Sequence, residues 1–264
     1  MVLIKGAGDL ASGVAVRLHH CGYPIVMTDL PHPTSIRRTV CFSEAIIKGV
    51  YTVEDVTAVF AHDGSEIAAI HAGGRIAVLA DPNAECIQTL HPDVVVDAIL
   101  AKRNLGTKIT DAPVVIALGP GFTAGNDCHA VIETMRGHDL GRVILDGSAE
   151  PNTGIPGNIG GFTIERVLRA PKTGNFTEIL HIGDLVKKGD PIAEVEGEKI
   201  LAPLDGVIRG LLPTGTPVTE GMKCGDVDPR PVLSHCYTVS DKARAIGGGV
   251  LEAILMLQRR NNHV

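Results

Sequence analysis

Ala170, Pro171, Gly174, Gly183, Val186 and Gly189 recur as Ala202, Pro203, Gly206, Gly215, Val218 and Gly221, each displaced by the same 32 residues. Six matches at one offset define an internal repeat. Each copy reads APxxG, a strand-length stretch and then GxxVxxG, so short strands alternate with turn-forming Gly and Pro. A unit this small cannot bury a face alone, and the two copies are expected to pack as a pseudo-twofold pair.

The N-terminal half follows a different pattern. An apolar strand, Val2 to Ile4, leads into Gly6, Ala7, Gly8, Asp9, Leu10 and Ala11, and then into a segment with Leu10, Ala11, Val14, Ala15 and Leu18 on one helical face. A second strand, Ile25 to Met27, runs into Asp29. Strand, GxGxxA, helix, strand and terminal acid in this order form a dinucleotide-binding fingerprint. Gly6 would permit the tight turn, Gly8 the approach of a pyrophosphate, and Ala11 the close seating of helix on strand. Asp9 opens the helix whose N-terminus would face the phosphates. Asp29 is placed to accept from a ribose hydroxyl. The alternative is a glycine-rich turn that packs a βαβ unit and holds no nucleotide. Further strands are expected at Ile76 to Ala80, Val94 to Val96, Val114 to Leu118 and Val143 to Leu145, as in a mostly parallel sheet.

Two glycine-rich loops follow expected strands. Gly119-Pro120-Gly121-Phe122-Thr123-Ala124-Gly125 leaves the strand ending at Leu118, where α/β sheets bind ligands, and its N–H groups could form an anion nest. Val131, Ile132, Glu133 and Arg136 then read as a helix start. Cys128, between Asp127 and His129, is the candidate catalytic thiol, since a helix dipole and an imidazolium both lower a thiol pKa. An inert buried thiol is the alternative. The second loop, Gly147 to Asn158, reads as a binding loop containing Asn152 and Gly154, or else as the crossing between domains. Gly119, Gly121, Asn152 and Gly154 therefore join Gly6, Gly8, Asp9, Ala11 and Asp29 as candidate cofactor-binding positions.

Near the C-terminus, Ser240 or Asp241 can cap a helix carrying Ile246, Val250, Leu251, Ile254, Leu255 and Leu257. Gly247, Gly248 and Gly249 inside it each cost roughly 1 kcal/mol against Ala, which points to close approach of another backbone or a ligand. Six cysteines without a CxxC pair suggest neither a disulfide framework nor a zinc ribbon, and no residue set has metal-ligand spacing. Aromatic residues make up 3% and the net charge is −6, which argues against nucleic-acid binding. No apolar run reaches the ~18 residues of a bilayer span and no signal sequence opens the chain, so a cytoplasmic protein without membrane association is expected.

The repeat resembles the barrel-sandwich hybrid of biotinyl and lipoyl carriers over about residues 164 to 228. It lacks the Met-Lys-Met of a biotin acceptor, and Lys199 lies three residues before Ala202, too close to match a carrier hairpin tip. A rigid docking module is the reading that fits. GAGDLASGVAVRL, PTSIRRTVCFSEAI, GPGFTAGNDCHAVIET, RGHDLGRVI, NTGIPG, KCGDVDPR and SDKARAIGGGVLEAIL together resemble the YqeB proteins, across nearly the whole chain. That resemblance implies an accessory protein of selenium-dependent molybdenum hydroxylases, with the hydroxylase or its cofactor-maturation proteins as partners. The fold expected is α/β: a Rossmann-like, mostly parallel sheet over 1–163, with 237–264 packing back on it, and a barrel-sandwich hybrid (biotinyl/lipoyl-like) β module over 164–236. Three functions stay open. One is a maturation factor binding a molybdopterin-dinucleotide-type ligand, the second an NAD(P)-dependent oxidoreductase, and the third a non-enzymatic docking scaffold.

Overall fold

The computed structural model describes residues 1–155 and 157–261. The chain divides into two compact units, one built from 1–33, 41–153 and the segment from Val239, the other from 34–40 and Gly154 to Thr238.

In the first unit the elements are β1 (Val2–Lys5), α1 (Asp9–His20), β2 (Ile25–Asp29), α2 (Glu44–Lys48), β3 (Val50–Val53), β4 (Val56–Phe60), α3 (Ile67–Ala72), β5 (Ile76–Ala80), α4 (Ile87–Leu90), β6 (Val94–Asp97), β7 (Val114–Leu118), β8 (Ala130–Ile132), β9 (Val143–Ile144) and, after the second unit, α5 (Asp241–Asn261). Nine described strands form one sheet in the order β3-β4-β5-β2-β1-β6-β7-β8-β9. All neighbours are parallel except the edge pairs β3–β4 and β8–β9. The central strands are continuous Val/Ile/Leu/Ala runs because both faces are covered. Ile67, Ile70 and Ile87 of α3 and α4 pack with Leu3, Val26, Ala77, Val95 and Val115 in the apolar clusters of the sheet. α1 lies against β1 and β2, and α5 against α1, β7, β8 and β9.

From β1 the chain builds β2 and β5 to one side, then returns to build β6, β7 and β8 on the other. The order therefore reverses between β1 and β6, and in an open α/β sheet the crevice outside the carboxyl ends of the strands at such a reversal is where ligands bind.

The helix start expected at Val131 is a strand. Ala130–Ile132 is β8, fully buried and parallel to β7, with Ile116 opposite Ala130 and Leu118 opposite Ile132. A short apolar run suits a buried strand as well as a helix, and the open edge of β7 decides between them.

The second unit contains β10 (Val167–Arg169), β11 (Gly174–Glu178), β12 (Leu185–Val186), β13 (Pro191–Val195), β14 (Glu198–Leu201), β15 (Gly206–Leu211), β16 (Pro217–Val218) and β17 (Lys223–Asp228) in two antiparallel sheets, β10-β17-β15-β12 and β14-β13-β11-β16. Each copy of the repeat gives its short middle strand to the other. Val186 of β12 pairs with Gly206 of β15, and Val218 of β16 pairs with Gly174 of β11, the same pair with the two copies exchanged, the valine 32 residues later and the glycine 32 earlier. Gly189 N–H donates to Ala202 O and Gly221 N–H to Ala170 O, both at 2.9 Å. Within each copy Phe176 faces Val195 as Ile208 faces Val227, and all four are fully buried. The chain is thus mixed α/β, with a large, mostly parallel sheet and additional antiparallel sheets.

Candidate functional site

Lys5 ends β1, and the chain turns at Gly6 in the left-handed region, φ +96°, which a side chain rarely adopts. A Cβ there would also stand 3.0 Å from the carbonyl oxygen of Ala98. Gly6 N–H is held by Thr28 O at 2.7 Å. The next N–H, from Ala7, donates to Asp29 Oδ2 at 2.7 Å, while Asp29 Oδ1 accepts from Leu30 N–H at 2.7 Å. Burial pushes the Asp29 carboxyl above its usual range, and the two N–H bonds partly offset that. Asp29 therefore braces the turn, and a carboxylate keeps lone pairs for a further donor. Ala7 O accepts from Ser12 Oγ at 3.1 Å and from Ser43 N–H at 3.0 Å.

Gly8 is the N-cap of α1, with extended backbone and no side-chain cap. Among the described residues the N–H groups of Leu10 and Ala11 have no acceptor. Ala11 itself is buried, as its expected seat against the sheet requires. A cradle of open amides at a helix N-terminus, beside the point where strand order reverses, suits an anion.

Under the same edge lies a buried polar group that sequence reasoning missed. Lys5 Nζ donates to Thr107 Oγ1 at 2.5 Å, and Thr107 Oγ1 donates to Asp97 Oδ2 at 2.6 Å. Lys5 and Asp97 are register partners on β1 and β6, their charges 3.9 Å apart, with exposures of 4% and 2%. The readable signal is a charge ending each of two buried apolar strands, VLIK and VVVD.

The other expected positions sit differently. Gly119 (φ +73°) packs on Thr134, whose Oγ1 a Cβ would approach to 2.5 Å, and Gly121 packs on the backbone of Arg103, at 2.6 Å by the same measure. Both glycines are thus accounted for by protein neighbours. Asn152 lies in the first unit and Gly154 in the second, both exposed, and position 156 of that loop lies outside the described residues.

Cys128 precedes a strand, so no helix dipole acts on it. It is fully buried, and burial followed by the Asp127 charge pushes its thiol up to about 12. His129 Nδ1 accepts Val115 N–H at 2.9 Å, and burial lowers its pKa, so a neutral ring stands where an imidazolium was expected. Among the described residues no group of three or more His, Cys, Asp or Glu could hold a metal ion, and no helix is long and apolar enough to cross a membrane.

The chain is 54% identical over 260 residues to uncharacterized protein YqeB of Escherichia coli (strain K12). The match covers 98% of this chain and 48% of the relative, so the chain spans about half the length of the curated relative it matches. No family model matches. Two solved structures align weakly. An aspartoacylase family protein from Mesorhizobium loti shares 13% identity over 88% of this chain and 85% of its own, at a TM-score of 0.26. A succinylglutamate desuccinylase/aspartoacylase from Rhodobacter sphaeroides shares 14% over 86% of each chain, at 0.25. At these scores the likeness carries no argument about fold or activity.

Proposed function

We propose, from the 54% identity to YqeB across 98% of this chain, that the chain is of the YqeB family and is an accessory, maturation-type protein for a selenium-dependent molybdenum hydroxylase. In this reading the first unit is Rossmann-like and binds a nucleotide or molybdopterin-dinucleotide-type ligand at the carboxyl edge of its sheet. The observation that carries it is the uncapped N-terminus of α1, with the N–H groups of Leu10 and Ala11 open beside the β1–β6 reversal. Asp29 supports it by bracing the turn on the side where a ribose hydroxyl would lie.

The second unit, in the same reading, is a barrel-sandwich hybrid that docks a partner. The reciprocal pairing of β12 with β15 and β16 with β11 supports this. Lys199 lies within β14, paired with Glu194, while the hairpin tip is Glu196-Gly197, so docking fits better than covalent carriage.

Titration calorimetry with NAD, NADP and a pterin dinucleotide tests the ligand. Binding of one of them by the wild type, lost in Gly8→Leu at unchanged melting temperature, is the expected result. A wild type that binds none leaves only a docking scaffold.

A further inference from the structure

Helix α5 carries two apolar faces. With 3.6 residues per turn, Ile246, Val250, Ala253, Ile254 and Leu257 share one side, and all five are buried where the helix packs on β7, β8 and β9. The opposite side of an amphipathic helix is expected to be polar. On α5 that side instead carries Gly248, Leu251, Leu255 and Met256 beside Glu252 and Arg259, and these line one groove of about 560 Å³ with Arg17 of α1 as its wall. Leu255 is 50% exposed. A Cβ at Gly248 would meet nothing within 4 Å, whereas one at Gly247 would stand 3.1 Å from Gly13 O and one at Gly249 2.1 Å from Gly141 O. Gly248 is thus the member of the glycine triplet that faces outward, at one end of a helix face about 16 Å long.

The two charges on this face have opposite signs and lie seven residues apart, close to two turns. That is about 10 Å along the axis, too far for Glu252 and Arg259 to pair on one helix. Among the described residues neither side chain closes an ion pair. A second α5 laid antiparallel, with a twofold axis between Leu255 and Met256, puts Glu252 of each copy opposite Arg259 of the other, because both positions are equally far from that axis. Leu255 and Met256 then meet their own counterparts at the centre. A parallel partner in the same register would set like charge on like. Self-complementarity of this kind is what a twofold interface requires.

We infer that the outer face of α5 is a self-association surface whose occupant is a second copy of this chain, packed antiparallel through Leu251, Leu255 and Met256 and closed by two reciprocal Glu252–Arg259 pairs. It stands apart from the nucleotide reading, since it uses no residue of the turn after β1. One helix pair buries less than the ~800 Å² per partner of a standard interface, so the dimer is weak and depends on concentration.

Sedimentation velocity of the full chain, from about 1 μM to about 300 μM, tests it. Wild type should pass from monomer to dimer across that range. Leu255→Glu, Glu252→Arg and Arg259→Glu should each raise the dissociation constant at least about tenfold at unchanged melting temperature, the two charge variants by setting like charges opposite each other. The double variant Glu252→Arg/Arg259→Glu should recover wild-type dimerisation, which neither a loss of fold nor a general change in surface charge would give. A wild type that stays monomeric throughout overturns the inference and leaves the face to a different protein. A dimer that the single variants leave intact, or that the double variant fails to recover, overturns it as well.

Discussion

Asp29, at the end of β2, accepts the N–H of Ala7 in the turn that follows β1, 22 residues earlier, at 2.7 Å. The carboxylate that sequence reasoning assigns to a ribose thus also sets the turn that would hold the phosphates. Its folded pKa lies above the unfolded value of 3.8, because burial outweighs the N–H bonds. Between those two values the folded state holds more protons than the unfolded one, so this group's contribution to stability falls as pH rises through the window and is constant above it. Compared with Asp29→Asn, which has no charge to bury, wild type should lose stability as pH climbs from 3.8 through the raised pKa. Urea midpoints of both proteins across that range measure it, and a relative gain by wild type would mean that the hydrogen bonds outweigh burial. Asp29→Ala, which removes the acceptor of the part-buried Ala7 N–H, should cost about 1–3 kcal/mol.

The three consecutive glycines of α5 should respond with opposite signs. A Cβ at Gly248 meets nothing within 4 Å, so Gly248→Ala should stabilise by roughly 0.5–1 kcal/mol through helix propensity. A Cβ at Gly249 would stand 2.1 Å from the carbonyl oxygen of Gly141 and 3.0 Å from Ile132 Cγ2. Gly249→Ala must push α5 away from the strand edge, and overpacking of this kind costs about 1–3 kcal/mol. Thermal unfolding of the two variants decides it, and equal shifts would show that α5 is not seated on Gly141.

Much of the parallel sheet was legible because its strands are uninterrupted apolar runs: Ile76–Ala80 and Val114–Leu118 form with the bounds their sequence suggests. The repeat was legible for a different reason, since an offset needs no knowledge of partners. β8 was misread because three apolar residues carry no period, and what makes them a strand is the unpaired edge of β7. The β3–β4 hairpin was missed, its turn residue Glu54 taking φ +56° without a glycine to mark it. The site residues divide along the same line. Gly6, Gly8 and Asp29 lie within one βαβ unit and could be read together. Lys5 and Thr107 are 102 residues apart, and their contact depends on a loop whose return to the end of β1 no local pattern announces.

Thr107→Val tests the buried network beneath the turn. The substitution keeps shape and removes the hydroxyl that joins Lys5 to Asp97. Two groups exposed by 4% and 2% would each lose a partner, at a cost of about 1–3 kcal/mol. An unchanged denaturation midpoint would show that Lys5 and Asp97 close their 3.9 Å gap into a direct pair and need no bridge.

The cysteines should rank by access and not by sequence context. Cys21 is exposed, whereas Cys41, Cys128, Cys224 and Cys236 are buried. Alkylation requires a thiolate, and burial pushes the thiol of Cys128 up to about 12 and that of Cys224 to about 11. Iodoacetamide on the native protein should therefore modify Cys21 first, and the four buried thiols only once urea unfolds the chain, as followed by peptide mass spectrometry. On the accessory role proposed above, Cys128→Ser should leave hydroxylase maturation in cells intact, because the side chain packs in the apolar core with Ala117 and Val131 and presents no reactive sulfur. Native-state labelling of Cys128 as fast as Cys21, together with loss of hydroxylase activity in Cys128→Ser, would restore the thiol as a working group.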